Sequence, residues 1–242
     1  METIIGTPKS IVLVPGYWLG GWAWDAVAAD LRDRGHRVIA MTLPGLDPDD
    51  PYRQSRSLAD QAEALSSAVR TAGDDGSAVV LVVHSGAGFP AAVFLDRDPT
   101  AVARIIYVDS GPSADGSVVD ASLPPDQLDI VLPPFEQLAA SIDGLSEEDL
   151  AAFRQRAVPE PATVARAPLR LENELRRNIP STIIACSYPS AALIQMAREG
   201  HAMMAETATL RDLEYVDLPT GHWPMWSRPA DLAAAIAHAA GD

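Results

Sequence analysis

Ser85 and His222 stand where a covalent acyl transfer would need them. Ser85 lies in Val83-His84-Ser85-Gly86-Ala87-Gly88, a loose G-x-S-x-G pattern whose outer positions are Val83 and Ala87, with glycines at Gly86 and Gly88. A serine on a sharp strand-to-helix turn holds its hydroxyl clear of the backbone and aims the following N–H groups at one point. Small residues serve such a turn because the chain passes close to its neighbours. The plain alternative is a glycine-rich turn with an incidental serine. A serine hydroxyl reacts only when a base takes its proton and donors hold the oxyanion that forms. The base candidate is His222, in Pro219-Thr220-Gly221-His222-Trp223-Pro224-Met225-Trp226. Of the other histidines, His36 precedes a strand-like run, His201 lies in a helical pattern and His238 is near the C-terminus. His84 adjoins the serine, but its side chain is expected to point away from the hydroxyl. The donor candidate is Val14-Pro15-Gly16-Tyr17-Trp18-Leu19-Gly20-Gly21-Trp22, for which the alternative is a Pro-Gly turn followed by core tryptophans.

These residues need elements to hold them. Strand-like apolar runs occur at 10–14, 37–41, 78–82, 104–108, 181–186 and 213–216. Helical patterns lie between them, at 22–34, 57–72, 88–95, 191–205 and 229–238. Ser57 and Asp60 suit a helix start, with Leu58, Ala62, Leu65 and Val69 on one face. Strands alternating with helices predict an α/β fold: a mainly parallel sheet with helices on both faces. Such sheets place their sites at the carboxyl ends of the strands, where Ser85, His222 and the loop after Val14 all fall.

The alternation breaks from Ser110 to Asn178. No convincing strand is visible there, and prolines cluster at Pro124-Pro125 and Pro133-Pro134. Ser146-Glu147-Glu148-Asp149 reads as a helix start, with acids at the positive end of the helix dipole. A further helix is expected over 169–176. The division expected is therefore a core of 1–109 and 179–242, with 110–178 inserted between two strands as a helical cap.

Composition narrows the function classes. The chain has 242 residues, enough for one large domain, and 33 acidic against 18 basic side chains give a net charge of -15. That balance argues against nucleic acid and anionic membrane surfaces. The single cysteine, Cys186, ends an apolar run and allows no disulfide framework. No basic segment followed by a long apolar core opens the chain, and no apolar run approaches the ~20 residues of a membrane helix. The expectation is a cytoplasmic protein acting on a small molecule, with no cofactor and no metal, since His and Cys clusters at ligand spacing are missing. A homodimer stays open.

In chain order, the loop after Val14, the turn at Ser85 and the histidine at His222 resemble the landmarks of the α/β-hydrolase superfamily. Gly20-Gly21-Trp22-Ala23-Trp24, followed by Gly35-His36-Arg37-Val38, is similar to the small esterase and hydroxynitrile-lyase branch. The resemblance implies an oxyanion hole made by the backbone N–H groups of Tyr17 and Gly86, although Pro15-Gly16 stands where the family often has His-Gly. It also implies an acid after the strand at 181–186. Here that loop, Ser187-Tyr188-Pro189-Ser190-Ala191-Ala192-Leu193, has no Asp or Glu. Asp109, at the end of the preceding strand, is the substitute, as in certain dehalogenases and lipases. It would hold the His222 ring in one tautomer and stabilise it once protonated. The alternatives are a strand-end Asp bonded to backbone, or a Ser85–His222 dyad oriented by Ser187 or Tyr188.

The reaction expected is hydrolysis of an ester, thioester or lactone. Trp18, Phe89, Trp223 and Met225 are candidates for the substrate pocket, with Tyr17 beside them; Trp22, Trp24 and Trp226 read as core. This suggests an apolar, aromatic or polyketide-like substrate. A non-hydrolytic lyase or cyclase using the same pair is a second reading. It is weakened because Lys9 is the only lysine, and the lyase-type site often uses a lysine near the pocket. A catalytically decayed binding protein is a third.

Overall fold

The computed structural model describes residues 8–241. Six parallel strands form the sheet: β1 (Ser10–Val14), β2 (Arg37–Ala40), β3 (Val79–His84), β4 (Arg104–Val108), and, after a two-stranded ribbon of β5 (Asp129–Ile130) and β6 (Glu160–Pro161), β7 (Ser181–Ala185) and β8 (Leu213–Asp217). Their order is β2-β1-β3-β4-β7-β8. The direction of winding reverses between β1 and β3, and that point opens a crevice at the carboxyl ends of the two strands.

The main helices are α1 (Asp25–Asp33), α2 (Leu58–Ala72), α3 (Gly88–Arg97), α4 (Glu147–Arg156), α5 (Ala162–Arg166), α6 (Ser190–Arg198), α7 (Pro224–Ser227) and α8 (Pro229–Ala240). α2 starts as its sequence predicts: Ser57 Oγ accepts from the Asp60 N–H, and the Asp60 carboxylate accepts from the Ser57 N–H. Alternation along the strands builds one apolar layer on each face. Ile11, Leu13, Val80, Val82, Ile106 and Ile184 pack with Val27 and Leu31 of α1 and Leu232 and Ile236 of α8. Val12, Val14, Leu81, Val83, Ile105 and Ile183 pack with Leu65 and Val69 of α2, Phe94 of α3 and Leu193 of α6.

The stretch between β4 and β7 departs from its sequence reading. Asp129 and Ile130 pair antiparallel with Pro161 and Glu160, so a ribbon exists where no strand was expected. At two residues per strand it is too short to carry a hydrophobic alternation. The expected helix over 169–176 is instead a 3-10 turn at Glu174–Asn178, which Asn173 caps by accepting from the Leu175 N–H. Leu169 and Leu171 precede that turn and are buried beside Leu58 and Val164. The pattern at 191–205 also stops early: α6 ends at Arg198, near Gly200 with φ +71°. The 22–34 pattern divides into a 3-10 turn, Gly21–Trp24, and α1.

The inserted stretch is anchored in the body of the protein. Phe153 of α4 is fully buried and packs edge-on against Trp223, and also against Trp226, each at 5.0 Å between ring centroids. Trp18 Nε1–H donates to the Ile130 carbonyl (2.9 Å), and the Val158 N–H donates to the Trp18 carbonyl (3.0 Å). No helix among the described residues is long and apolar enough to cross a membrane.

Candidate active site

β3 delivers Ser85 to the crevice. Its φ is +52°, the left-handed region that non-glycine residues rarely adopt. Strain of this kind costs on the order of 1–3 kcal/mol and persists only where the surroundings enforce it. The surroundings do so from two sides. Ser110 Oγ donates to the Ser85 carbonyl at 2.8 Å. Gly16 lies so close that a Cβ there would stand 2.8 Å from Ser85 Cβ and 3.0 Å from the His84 carbonyl oxygen.

Ser85 Oγ donates to His222 Nε2 at 2.8 Å, and His222 Nδ1–H donates to Asp109 Oδ2 at 2.5 Å. The carboxylate belongs to the end of β4 and the imidazole to the loop after β8. Asp109 also has a positive φ, +43°, which turns its side chain off the strand toward the neighbouring β7 loop. There Ser187 gives it two hydrogen bonds, N–H to Oδ1 (2.8 Å) and Oγ–H to Oδ2 (2.6 Å), and the Cys186 N–H adds a third at 3.2 Å. Burial works to raise the Asp109 pKa; the His222 contact and the Ser187 donors outweigh it, so the carboxyl is held below its ordinary range. An ionised, acceptor-only carboxylate is the form that holds a His222 Nδ1–H in place.

The residues with expected roles are distributed as follows. Tyr17 and Gly86 meet directly, since a Cβ on Gly86 would lie 2.6 Å from the Tyr17 ring. Trp18 is half-buried, packs edge-on against Tyr17 at 6.2 Å and bridges to the ribbon. Phe89 is half-buried against Leu58, Val164 and Leu169. Trp223 and Met225 sit lower: they are 2% and 0% exposed and belong to the core beside Phe153 and α8. Both pack as core residues, Trp223 edge-on to the Phe153 ring. Trp24 is likewise core, while Trp22 and Trp226 stack on each other at 5.6 Å.

The sequence reading missed what His84 does. Its ring lodges between the Gly16 loop and the main chain of His222. Nothing in its position at the end of an apolar run signals this. The sequence did offer Ser187 as an orienting group for His222, but not as a ligand of Asp109; only the adjacency of β4 and β7 makes that visible. Burial is also strong nearby in Glu160 of β6, which is fully buried, accepts one hydrogen bond from Gln61 Nε2 (3.0 Å), and has its pKa pushed up to about 8.

The arrangement can pass a proton from Ser85 to His222 while Asp109 balances the imidazolium, the sequence of steps that acyl transfer requires. Known proteins are similar to this chain in sequence and fold. A carbendazim hydrolyzing esterase of Nocardioides sp. is 26% identical over 253 residues, covering 94% of this chain and 98% of its own length. Methylesterase 7 of Arabidopsis thaliana is 34% identical over 101 residues, 41% of this chain. The matches to the first curated relatives span about two fifths of those relatives' lengths, 39% and 41%. Among solved structures, an extracellular alpha/beta-hydrolase from a Paenibacillus species has a similar fold, with a TM-score of 0.76 at 21% identity, covering 97% of this chain and all of the other. The model of the alpha/beta hydrolase family matches residues 11–235, nearly the whole chain, and the chain belongs to that family.

Proposed function

We propose that the protein is a serine hydrolase that cleaves carboxylic esters through an acyl-enzyme on Ser85. The observation that carries this reading is the unbroken hydrogen-bonded row from Ser85 Oγ through His222 to Asp109. His222 Nε2 takes the Ser85 proton as Oγ attacks the ester carbonyl carbon. Backbone N–H groups of Tyr17 and Gly86 receive the oxyanion, each such donor being worth roughly 10²–10³ in turnover. The tetrahedral intermediate collapses as His222 returns the proton to the leaving alkoxide. Water then enters, loses its proton to His222 and attacks the acyl carbon, releasing the acid and restoring Ser85.

The names of the relatives, methylesterase and carbendazim hydrolyzing esterase, support esters of small alcohols as the first series to try. Tyr17, Trp18 and Phe89, all half-buried and close to the strand ends, favour an apolar or aromatic acyl part. The segment 110–178 acts as a cap in this reading, since it bonds to both the Trp18 loop and, through Ser141, the His222 loop.

The test is turnover of p-nitrophenyl and methyl esters together with labelling by a fluorophosphonate probe. Wild type is expected to turn over aromatic and medium-chain esters and to be labelled at Ser85, and Ser85→Ala to lose both, with turnover down about 10⁴-fold or more. An inert wild type whose Ser85 resists the probe would sink the hydrolase reading. A preference for short, highly polar esters over aromatic ones would sink the substrate class alone.

A further inference from the structure

His84 is 1% exposed, and both of its ring nitrogens are engaged. Nε2 lies 2.7 Å from the main-chain carbonyl oxygen of His222, and the Gly16 N–H points at Nδ1 at 3.4 Å. A carbonyl oxygen only accepts, so Nε2 carries the proton and Nδ1 is the acceptor. The ring is therefore a neutral imidazole in one tautomer. Its centroid is 4.7 Å from that of the His222 ring and 6.5 Å from that of the Trp24 ring, to which it stands nearly perpendicular.

The bonds of His84 complete a clamp. The His222 main chain is gripped from one side by the inserted stretch, where its N–H donates to the Ser141 carbonyl at 2.7 Å. Its carbonyl is gripped from the other side by His84. The same imidazole reaches the loop that carries Tyr17. An apolar side chain would fill this buried place without the desolvation cost of an imidazole, which is offset only when both nitrogens are bonded.

We propose that His84 is a positioning residue: through Nε2–H it fixes the main chain of His222, and through Nδ1 it holds that main chain in register with the Gly16–Tyr17 loop. The proposal rests on the reading of Ser85 and His222 as the reacting pair. Burial drives the His84 pKa down to about 3, so the ring stays neutral while the neighbouring His222 becomes an imidazolium. A charged ring at this distance would oppose that step.

Two polar variants separate the two bonds. Asn in His84→Asn keeps a polar group near Gly16 but is too short for the His222 carbonyl. Gln in His84→Gln reaches that carbonyl with its amide N–H. Rates are read per active site titrated with the fluorophosphonate, so partial unfolding does not mimic a catalytic loss. His84→Asn is expected to lower kcat about tenfold with KM changed less than about threefold, and His84→Gln to keep kcat within about threefold of wild type. The second readout needs no turnover: the downfield proton resonance of the His222 Nδ1–H bonded to Asp109. It should shift or broaden in His84→Asn and return in His84→Gln. Equal, wild-type behaviour of both variants would overturn the proposal, as would equal loss in both or failure of both to fold, which would make His84 a packing requirement. An inert wild type would remove the hydrolase reading, while the resonance still decides whether His84 holds His222.

Discussion

The loops at the carboxyl ends of the sheet and the stretch between β4 and β7 touch each other at Trp18 and at His222, but they are held differently. The loops are held by strained, closely packed backbone, with left-handed φ at Trp18, Ser85 and Asp109 and the close approach of Gly16 to Ser85, reinforced by the His84 and Ser187 side chains. The inserted stretch is joined to these loops by backbone bonds at Trp18 and His222 and docks otherwise through side chains. Phe153 plugs into the aromatic group at Trp223 and Trp226, Arg53 pairs with Asp129 at 2.7 Å, and Gln61 bonds Glu160. Backbone that is strained and closely packed holds atoms to tenths of an ångström, as chemistry demands. Side-chain docking tolerates change and sets shape, access and stability. Substitutions in the loops should therefore reach kcat, and substitutions in the inserted stretch should reach stability first.

The largest effect that separates the two regions is expected at Gly16. A methyl group there meets Ser85 Cβ and the His84 carbonyl, so the loop must retreat and take with it the Tyr17 N–H proposed as an oxyanion donor. Gly16→Ala should cost about 10²–10³ in kcat, as removal of one oxyanion donor does. Steady-state kinetics per titrated site checks this, and a loss below threefold would break the comparison.

Next comes a transfer of the acid between loops. Ser187 Oγ is already 2.6 Å from Asp109 Oδ2, the oxygen that accepts the His222 Nδ1–H hydrogen bond. A Ser187→Asp change placed on Asp109→Asn should recover at least about tenfold of the activity lost in Asp109→Asn alone, because a triad is defined by geometry rather than by sequence position. No recovery would mean that the β7 loop cannot carry the acid. Ser187→Ala alone is milder. It removes one donor and leaves two backbone N–H groups, so kcat should fall about three- to tenfold.

In the inserted stretch the readout is pH-dependent stability. The Glu160 carboxyl is raised from 4.5 to about 8 in the folded protein. Between those values the unfolded chain releases a proton that the folded one keeps, so stability declines as pH rises through that window. The decline should be on the order of a few kcal/mol and should vanish in Glu160→Gln, with kcat changed less than about threefold. Melting temperature against pH checks it. A kcat loss in Glu160→Gln as large as that of Gly16→Ala would erase the distinction between the regions. His84 works in the opposite direction. Its folded pKa is lowered from 6.5 to about 3, so its share of stability is full above 6.5 and is lost as pH falls toward 3.

The same contrast explains what the sequence made legible. Strands β1 and β4 were readable to the residue because parallel strands buried on both faces are continuous apolar runs. α2 was readable because its capping box is written in Ser57 and Asp60. Ser85 and His222 were readable as strand-end residues in small-residue contexts. The β5–β6 ribbon was not, since two residues carry no period, and Leu169 and Leu171 followed a helical spacing while being buried without a helix. Trp223 and Met225 flank His222 in sequence, yet α7 turns them into the core. The bonds of His84 and Ser187 join residues 138 and 78 positions apart, and no local signal reports such a pairing.

The claim on which the rest depends is that Asp109, one strand before the position where the sequence first sought an acid, orients His222 for attack by Ser85. The direct measurement is kcat per titrated site for Asp109→Asn against wild type on a p-nitrophenyl ester, with the fold of both checked by thermal melting. A loss of about 10⁴-fold in a folded variant is expected, the cost of leaving a catalytic histidine in the wrong tautomer. A folded Asp109→Asn that keeps kcat within about threefold of wild type would contradict it, and would leave Ser85 and His222 as a dyad.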